Sequence, residues 1–178
     1  MNPIEVIINE IESHSLWEKE LTLKRNEFLK VKGSTDTSLY YIVDGSLRIF
    51  IEEEYEEHTI RFGYTGELIT ALDSFIRETP SDLYIQALKK TSLKVISKQA
   101  YLSFINSTEA FKEQWMKVLE GFVYQQMQRE RDLLTSSPKE RYSRVLERSP
   151  HLFQVIPNKY IAAYLRMTPE TLSRLKKS

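Results

Sequence analysis

The 178-residue chain contains no cysteine, and this absence excludes several classes of site. Without thiols the chain forms no disulfide, no iron–sulfur cluster, no zinc finger built on thiolates and no cysteine redox switch. The sequence also lacks an apolar run long enough to span a bilayer and a signal-peptide pattern at its N-terminus. We therefore expect a cytoplasmic protein without a membrane partner.

The signatures of common catalytic sites are missing as well. The three histidines, His14, His58 and His151, are far apart in the chain and do not form the His-x-His spacing of a metal-binding cupin. The sequence contains no nucleophile elbow, no P-loop and no Gly-x-Gly-x-x-Gly loop. We therefore expect no metal, no cofactor and no enzymatic activity.

A net charge of zero conceals two parts of opposite sign. Residues 135–178 contain nine Lys and Arg against three Asp and Glu, which gives a charge of +6. The first 134 residues contain 16 basic and 22 acidic side chains and carry a charge of −6. Because basic residues neutralise phosphates, this distribution predicts that the C-terminal part contacts nucleic acid.

The same C-terminal part contains two short helical patterns around a tight corner. Ile161 and Leu165 have the spacing of one buried helical face. Thr168 is a natural N-cap for a second helix, with Pro169 at its first position, and Leu172 then faces inward. This layout is typical of a helix-turn-helix, whose second helix enters the DNA major groove.

The rest of the chain changes from helical to strand patterns and back. Residues 3–20 form an acidic amphipathic pattern that predicts a leading helix. From Leu21 to about Ser97, apolar residues recur with the period of strands, and four of the five glycines lie at plausible turns. Many short strands at roughly ten-residue spacing predict an antiparallel barrel or jelly roll.

A long helix is predicted over residues 108–134, followed by a hinge-like break at residues 135–138. Its stripe at alternating four- and three-residue steps resembles a coiled-coil seam and predicts a dimer interface of Trp115, Leu119, Phe122 and Gln126. The alternative is that this stripe packs on the barrel. The predicted organisation is α+β: a sensor domain over residues 1–107, the dimerisation helix over 108–134 and the helix-turn-helix domain over 135–178.

This order of parts resembles the Crp/Fnr superfamily of bacterial transcription regulators. The resemblance covers nearly the whole chain and is sharpest at three sequences, Tyr40-Tyr41-Ile42-Val43-Asp44-Gly45, Gly66-Glu67-Leu68 and Thr168-Pro169-Glu170-Thr171-Leu172-Ser173-Arg174. It implies a homodimeric, sequence-specific DNA-binding regulator with a cyclic-nucleotide-binding-like β-roll. The implied partners are double-stranded DNA, a second copy of the chain and RNA polymerase, and the small-molecule effector is unidentified.

The resemblance assigns base-reading roles to Glu170 and Arg174. The family's frequent Arg before this Glu is Pro169 here, and Lys176 and Lys177 stand where a wing usually follows the second helix. The hydroxyls of Thr168, Thr171 and Ser173 are assigned to contacts with DNA phosphates. The predicted DNA-binding set is therefore Thr168, Pro169, Glu170, Thr171, Ser173, Arg174, Lys176 and Lys177.

The effector site departs from the family pattern. Gly66 and Glu67 match the pair that approaches the ribose, but Ser81 and Asp82 stand where an Arg-Ser pair holds a cyclic phosphate. An aspartate there repels an anion, and Arg77 is the one nearby replacement. The candidate pocket residues are Gly66, Glu67, Ser81, Asp82, Gln125 and Gln126. We expect independence from cyclic AMP; the alternatives are a cyclic-nucleotide sensor and a scaffold that retains the fold without binding DNA.

Overall fold

The computed structural model describes residues 2–177 and begins with helix α1 (Pro3–Ser13). The Asn2 side chain caps this helix by accepting a hydrogen bond from the Ile4 N–H at 3.0 Å. The predicted leading helix over residues 3–20 is too long, because Ser15 adopts a positive φ of 53° and residues 19–23 form a strand. The helix therefore ends where the chain turns to pair with the sheet.

Within the described residues 2–177, eight strands form two four-stranded antiparallel sheets, in the orders β1-β8-β3-β6 and β2-β7-β4-β5. Their bounds are β1 (Lys19–Leu23), β2 (Phe28–Lys30), β3 (Leu39–Asp44), β4 (Ser46–Glu53), β5 (Glu56–Tyr64), β6 (Leu68–Ile69), β7 (Tyr84–Ala87) and β8 (Thr91–Ile96). A short helix, α2 (Leu72–Arg77), joins β6 to β7. The predicted antiparallel β-roll is confirmed.

The core of the roll is filled by apolar side chains from both sheets, which alternate inward as the period-two pattern requires. This core cluster consists of Tyr40, Ile42, Leu47, Ile49, Ile69, Ala71, Ile85, Ala87, Leu93 and Val95. The turn between β3 and β4 needs Gly45, whose φ is +123° and whose added Cβ would lie 2.6 Å from the Thr91 Cα. A larger residue there would separate the strands that close the roll.

Two further helices complete the sensor part. Helix α3 (Lys98–Ile105) leads into the long helix α4 (Glu109–Leu134), which the Thr108 hydroxyl caps by accepting from the Phe111 N–H. Along its first half α4 packs on α1, α3 and the roll, and Trp115 lies edge-on to Tyr101 with 5.2 Å between ring centroids. Among residues 2–177, no helix is long and apolar enough to cross a membrane.

The C-terminal part contains four short helices, α5 (Pro138–Arg148), α6 (Leu152–Val155), α7 (Asn158–Tyr164) and α8 (Pro169–Leu175). They bury apolar side chains together with Phe62 and Leu88 of the roll. The C-terminal helices therefore share one apolar cluster with the sheet that contains β5.

Buried charges fix the break between α4 and α5. The Arg141 guanidinium donates to the carbonyls of Thr135, Ser136, Leu165 and Arg166 at 2.7 to 3.0 Å. These four bonds tie the segment that follows α4 to the turn between α7 and α8. The predicted hinge thus has a defined conformation in this structure.

A second buried charge links the same two helices. Asp132 of α4 is fully buried and pairs with Arg144 at 3.0 Å and with Arg148 at 2.6 Å, both on α5. A buried carboxylate is tolerated only when it is paired in this way. The end of α4 and the start of the C-terminal domain are therefore joined by ionic as well as apolar contacts.

Candidate DNA-binding surface and interdomain cavity

The two last helices have the geometry that the sequence predicts for a helix-turn-helix. Ile161 of α7 and Leu172 of α8 are fully buried in the same apolar cluster. The Thr168 hydroxyl caps α8 by accepting from the Thr171 N–H at 3.2 Å. The turn between the helices contains Arg166 in a left-handed conformation, with φ 51°. The fold thus presents α8 at the surface.

The predicted DNA-binding residues lie together on this surface. Seven of them are exposed and Thr171 is half-buried; the exposed ones are Thr168, Pro169, Glu170, Ser173, Arg174, Lys176 and Lys177. Hydrogen bonds from its own backbone N–H and from the Thr168 hydroxyl lower the pKa of Glu170. Lys176 donates to the Asn158 side chain at 2.5 Å, so this lysine is held against its own domain.

The predicted dimer seam has a different environment from the one its spacing suggested. Trp115 and Phe122 are half-buried and pack on the apolar cluster that α1, α3 and the roll share. The Arg61 guanidinium lies 5.3 Å from the centre of the Phe122 ring. In the single chain the seam therefore packs on the sensor part, as the alternative interpretation holds. The dimer interface itself stays a prediction.

A second apolar stripe on α4 is exposed. Its members are spaced by seven, four and seven residues, and they are Met116, Val123, Met127 and Leu134, with exposures of 55%, 61%, 61% and 79%. Tyr124 beside them is 60% exposed. This spacing is that of a coiled-coil face.

The predicted effector residues do not form one site. Asp82 is exposed and lies 3.8 Å from Lys32, and Ser81 is buried with its hydroxyl accepting from the Leu83 N–H. Gly66 occupies an open turn, and Arg77 is exposed at the end of α2. The lysines of β2 and the following turn, Lys30 and Lys32, lie beside Ser81 and Asp82, although about fifty residues of sequence separate them.

One of these lysines is buried. The Lys30 ammonium group donates to the carbonyls of Val31, Ser81 and Leu83 at 3.0 to 3.3 Å, and its side chain is 3% exposed. Burial lowers the pKa of Lys30, and the charge of Asp73 opposes this effect. All three donors of the ammonium group have carbonyl partners, so Lys30 ties the loop before β7 to β2.

The remaining predicted effector residues meet at a different place. Glu67, Gln125 and Gln126 line a cavity of about 200 Å³ between β5, α4 and the C-terminal helices. Sequence reasoning missed further polar side chains of this cavity, which come from four elements of the chain. They include Arg61 and Tyr64 of β5, Arg129 of α4, Arg148 of α5 and Tyr164 of α7.

Arg129 stands at the boundary between the sensor part and the helix-turn-helix part. Its guanidinium lies 3.6 Å from the centre of the Tyr164 ring, and its side chain is 8% exposed. It donates to the Thr59 carbonyl at 3.4 Å, which is long for a hydrogen bond. Burial lowers the pKa of Arg129, against the charges of Tyr164 and Asp132. The group nevertheless stays protonated at neutral pH, as arginine does in proteins.

Two more contacts hold the C-terminal helices on the sheet. The rings of Phe62 and Tyr164 lie 5.4 Å apart. The buried Arg48 of β4 lies 4.7 Å from the centre of the Tyr160 ring on α7, and it also donates to Gln86 and Glu57. Aromatic and guanidinium groups thus form most of the specific contacts between the two parts.

Comparison with known proteins agrees with this architecture. Residues 20–108, half of the chain, match the model of the cyclic nucleotide-binding domain family. The chain belongs to this family. No curated protein sequence shows a significant match.

Solved structures extend the likeness beyond this domain to nearly the whole length of the chain. A CooA variant from Carboxydothermus hydrogenoformans is 16% identical, with a TM-score of 0.75 over 99% of this chain and 83% of that one. The Thermus thermophilus catabolite activator protein is 20% identical, with a TM-score of 0.57 over 98% and 81%. The c-di-GMP responsive global regulator CLP from Xanthomonas campestris is 15% identical, with a TM-score of 0.63 over 97% and 90%. The predicted Crp/Fnr-type fold is confirmed.

Within the cyclic nucleotide-binding domain, Glu67 is the acidic group of the cavity. Burial raises the pKa of Glu67 to about 7, although the Tyr64 N–H donates to its carboxylate at 3.2 Å and Arg61 lies nearby. Burial and the charge of Glu67 raise the pKa of Tyr64 to about 12. Across the part of the chain that the structure describes, no group of three or more acidic residues or histidines has the geometry to hold a metal ion.

The Glu67 carboxyl makes stability depend on pH. Because its pKa is higher in the folded chain than its ordinary value of 4.5, its protonated form favours folding. This stabilisation is complete below about pH 4.5 and is lost as pH rises through about 7. In the wild-type protein, this loss should lower the unfolding free energy by on the order of 2 kcal/mol between pH 5 and 8. We expect Glu67→Gln to lack this decrease when both proteins are compared by urea unfolding. Glu113→Gln, at an exposed position, serves as the control. An identical pH profile for Glu67→Gln and wild type would contradict this assignment.

Proposed function

We propose that the protein is a sequence-specific DNA-binding regulator of transcription, not an enzyme, and that it acts as a homodimer. The observation that carries the proposal is the exposed pair Glu170 and Arg174 on α8, one helical turn apart. A carboxylate accepts a hydrogen bond from the cytosine amino group, and a guanidinium grips guanine O6 and N7 with two bonds. The buried Leu172 holds the helix that carries both groups on its domain.

Charge and likeness support the same conclusion. Residues 135–178 carry a charge of +6 on a chain whose net charge is zero, so attraction to phosphate is concentrated where α8 lies. The Thermus thermophilus relative is an activator protein by name, and CLP is described as a global regulator linked to virulence gene expression. DNA is therefore the partner that we propose for α8.

The exposed stripe on α4 supports a dimer. Large apolar side chains that follow heptad spacing over a solvent-facing helix are costly to leave in water. A second copy of α4 would cover Met116, Val123, Met127 and Leu134, while Trp115 and Phe122 stay packed on their own sensor part. In this arrangement each dimer carries two α8 helices, as a site with two half-sites requires.

A cyclic-nucleotide sensor is the second candidate, and the family match over residues 20–108 favours it. Two observations oppose it. Apolar side chains fill the space between the sheets, and the Ser81-Asp82 step presents no arginine. The donors of the nearby Lys30 are all bonded to carbonyls, so a cyclic phosphate buried there would be unpaired, at a cost of several kcal/mol that contacts to the ribose do not return. We therefore propose a regulator that does not depend on cyclic AMP.

The proposed base contact predicts a specific loss in Arg174→Ala. On the preferred site, this change is expected to weaken binding by about 1–3 kcal/mol and to relax specificity at one base pair of each half-site. Lys177→Ala is the matched control, because a phosphate contact weakens binding to all sequences alike and flattens the salt dependence. Fluorescence anisotropy on oligonucleotides with single base changes measures both effects. If Arg174→Ala weakened binding to every sequence equally, Arg174 would not read a base.

The proposed dimer face predicts the effect of charge on α4. Replacing Val123 and Met127 together with glutamate is expected to give folded monomers, because four carboxylates would face each other across the interface. Val31→Glu, at an apolar side chain that is 45% exposed elsewhere, should leave the dimer intact. Sedimentation velocity with circular dichroism measures both assembly and folding. A dimer that survives the double change would place the interface elsewhere.

The proposed independence from cyclic nucleotides predicts weak binding. Isothermal titration of the full-length protein is expected to give dissociation constants for cyclic AMP and cyclic GMP no tighter than about 1 mM, because Arg77 is exposed and all three donors of Lys30 beside Ser81 are already bonded to carbonyls. DNA binding should not require either nucleotide. A micromolar constant that Arg77→Ala abolishes would mean that Arg77 replaces the missing arginine, and the second candidate would then be preferred.

A further inference from the structure

We propose that the cavity between the roll and the C-terminal helices binds a small oxyanion, a carboxylate or phosphate group on a compact molecule, through Arg129 and Arg61. This inference does not depend on DNA binding; only its consequence for regulation rests on the proposed function.

The charges around the cavity leave one cation in excess. Three guanidinium groups line it, those of Arg61, Arg129 and Arg148, against the single carboxyl of Glu67. Arg148 is already paired, since it donates to Asp132 at 2.6 Å. Glu67 is the carboxyl whose charge acts on Arg61. Arg129 is therefore the guanidinium without a carboxylate of its own in this cavity.

Arg129 also lacks hydrogen-bond partners. Within residues 2–177 its one hydrogen bond is the 3.4 Å contact with Thr59, although a guanidinium has five N–H donors. Its side chain is more than nine-tenths buried, where unpaired donors are costly. The other buried arginines differ: Arg141 makes four bonds to carbonyls, and Arg48 pairs with Gln86 and Glu57. The unused donors of Arg129 meet the cavity that it lines.

The geometry of Arg129 suits an oxyanion. The central carbon of its guanidinium lies over the Tyr164 ring, 3.6 Å from the ring centre, and a guanidinium that stacks on an aromatic face keeps its N–H edges available for other partners. The edge of a guanidinium matches a carboxylate or a phosphate with two parallel bonds. Arg61 lines the same cavity from β5, so the two arginines can meet one anion from different walls.

The volume limits the ligand to a small molecule. A cavity of about 200 Å³ is somewhat larger than the engineered cavity of about 150 Å³ that holds benzene, and smaller than sites for drug-sized ligands. The remaining polar lining consists mainly of the amides of Gln125 and Gln126 and the phenols of Tyr64 and Tyr164. These groups can bond the neutral part of a compact polar anion.

The walls of the cavity come from both parts of the chain. Arg61 and Tyr64 belong to the roll, Arg129 to α4, and Arg148 and Tyr164 to the C-terminal helices. The complete site exists only while these helices rest on the sheet. A ligand that binds more tightly when the helices rest on the sheet than when they are separated from it favours the first state. The gain in free energy equals the difference between the two binding free energies. Occupancy would therefore strengthen the docking of the helix-turn-helix on the roll.

Inorganic phosphate and succinate are the two probes for the test. Isothermal titration of the full-length protein at constant ionic strength, with sodium chloride as the reference, is expected to show saturable binding of at least one of them. The anion that binds decides between a phosphate and a carboxylate group. Hydrogen exchange in residues 59–64 and 158–164 should slow on binding, because the ligand stabilises the contact between β5 and α7.

Arg129→Gln is expected to weaken this binding about 10- to 100-fold, the effect of losing charge-assisted hydrogen bonds. Arg61→Gln, at a half-buried position, gives a second test if Arg129→Gln does not fold. Arg131→Gln, at an exposed position on α4 outside the cavity, is the matched control and should bind like wild type. The proposal is overturned if neither probe binds more tightly than sodium chloride, or if Arg61→Gln and a folded Arg129→Gln both retain wild-type affinity. If the wild-type protein binds DNA but neither anion, this inference is wrong and the proposed function stands.

Discussion

Tyr164 contacts both Phe62 of the roll and the guanidinium of Arg129, and these contacts fix where the helix-turn-helix rests. An aromatic pair contributes about 0.5–1.5 kcal/mol beyond its buried area, and a desolvated cation–π contact about 2 kcal/mol. Together with the apolar cluster around Leu152 and Leu172, these contacts hold the C-terminal helices on the roll. Their free energies are small enough for the two parts to separate reversibly. The direction in which α8 faces therefore depends on a contact that a ligand or a partner can strengthen.

Buried cations explain why this junction has both rigid and adjustable parts. Arg141 uses its donors on the backbone around the α4–α5 break, and Asp132 pairs with two arginines of α5. These groups are satisfied within the chain, so they define one conformation of the connection. Arg129 is buried to a similar degree but remains short of partners. We therefore assign structural roles to Arg141 and Asp132, whose hydrogen bonds are made within the chain, and we assign Arg129 to a ligand.

The order of the elements could be predicted from the sequence because local patterns specify them. Period-two alternation predicted the roll, and Thr168 with Pro169 predicted the start of α8, since caps and turns act over a few residues. The end of α1 was missed because pairing between β1 and β8 overrides the helical pattern of residues 14–20. An apolar stripe identifies a buried face but not its partner, so the seam of α4 could not be assigned to the roll or to a second copy.

The site was harder to predict than the fold. Arg61, Arg129 and Arg148 are 68 and 19 residues apart along the chain, and only the docking of the C-terminal helices brings them to one cavity. The family pattern directed attention to Ser81 and Asp82, whose partners Lys30 and Lys32 come from another strand and its following turn. Residues that meet through contacts between distant elements show no regular spacing in the sequence, so no sequence pattern could have identified these groups.

The central claim is that α8 reads a DNA sequence as part of a symmetric dimer. Selection of binding sites from a random DNA pool by the full-length protein, at low salt and without cyclic nucleotide, tests it most directly. The account predicts an enriched palindrome whose half-sites lie about one helical turn apart, because two α8 helices would enter successive major grooves. Recovery of no preferred sequence, with the dimer intact, would contradict the account and favour a scaffold that retains the fold without reading DNA.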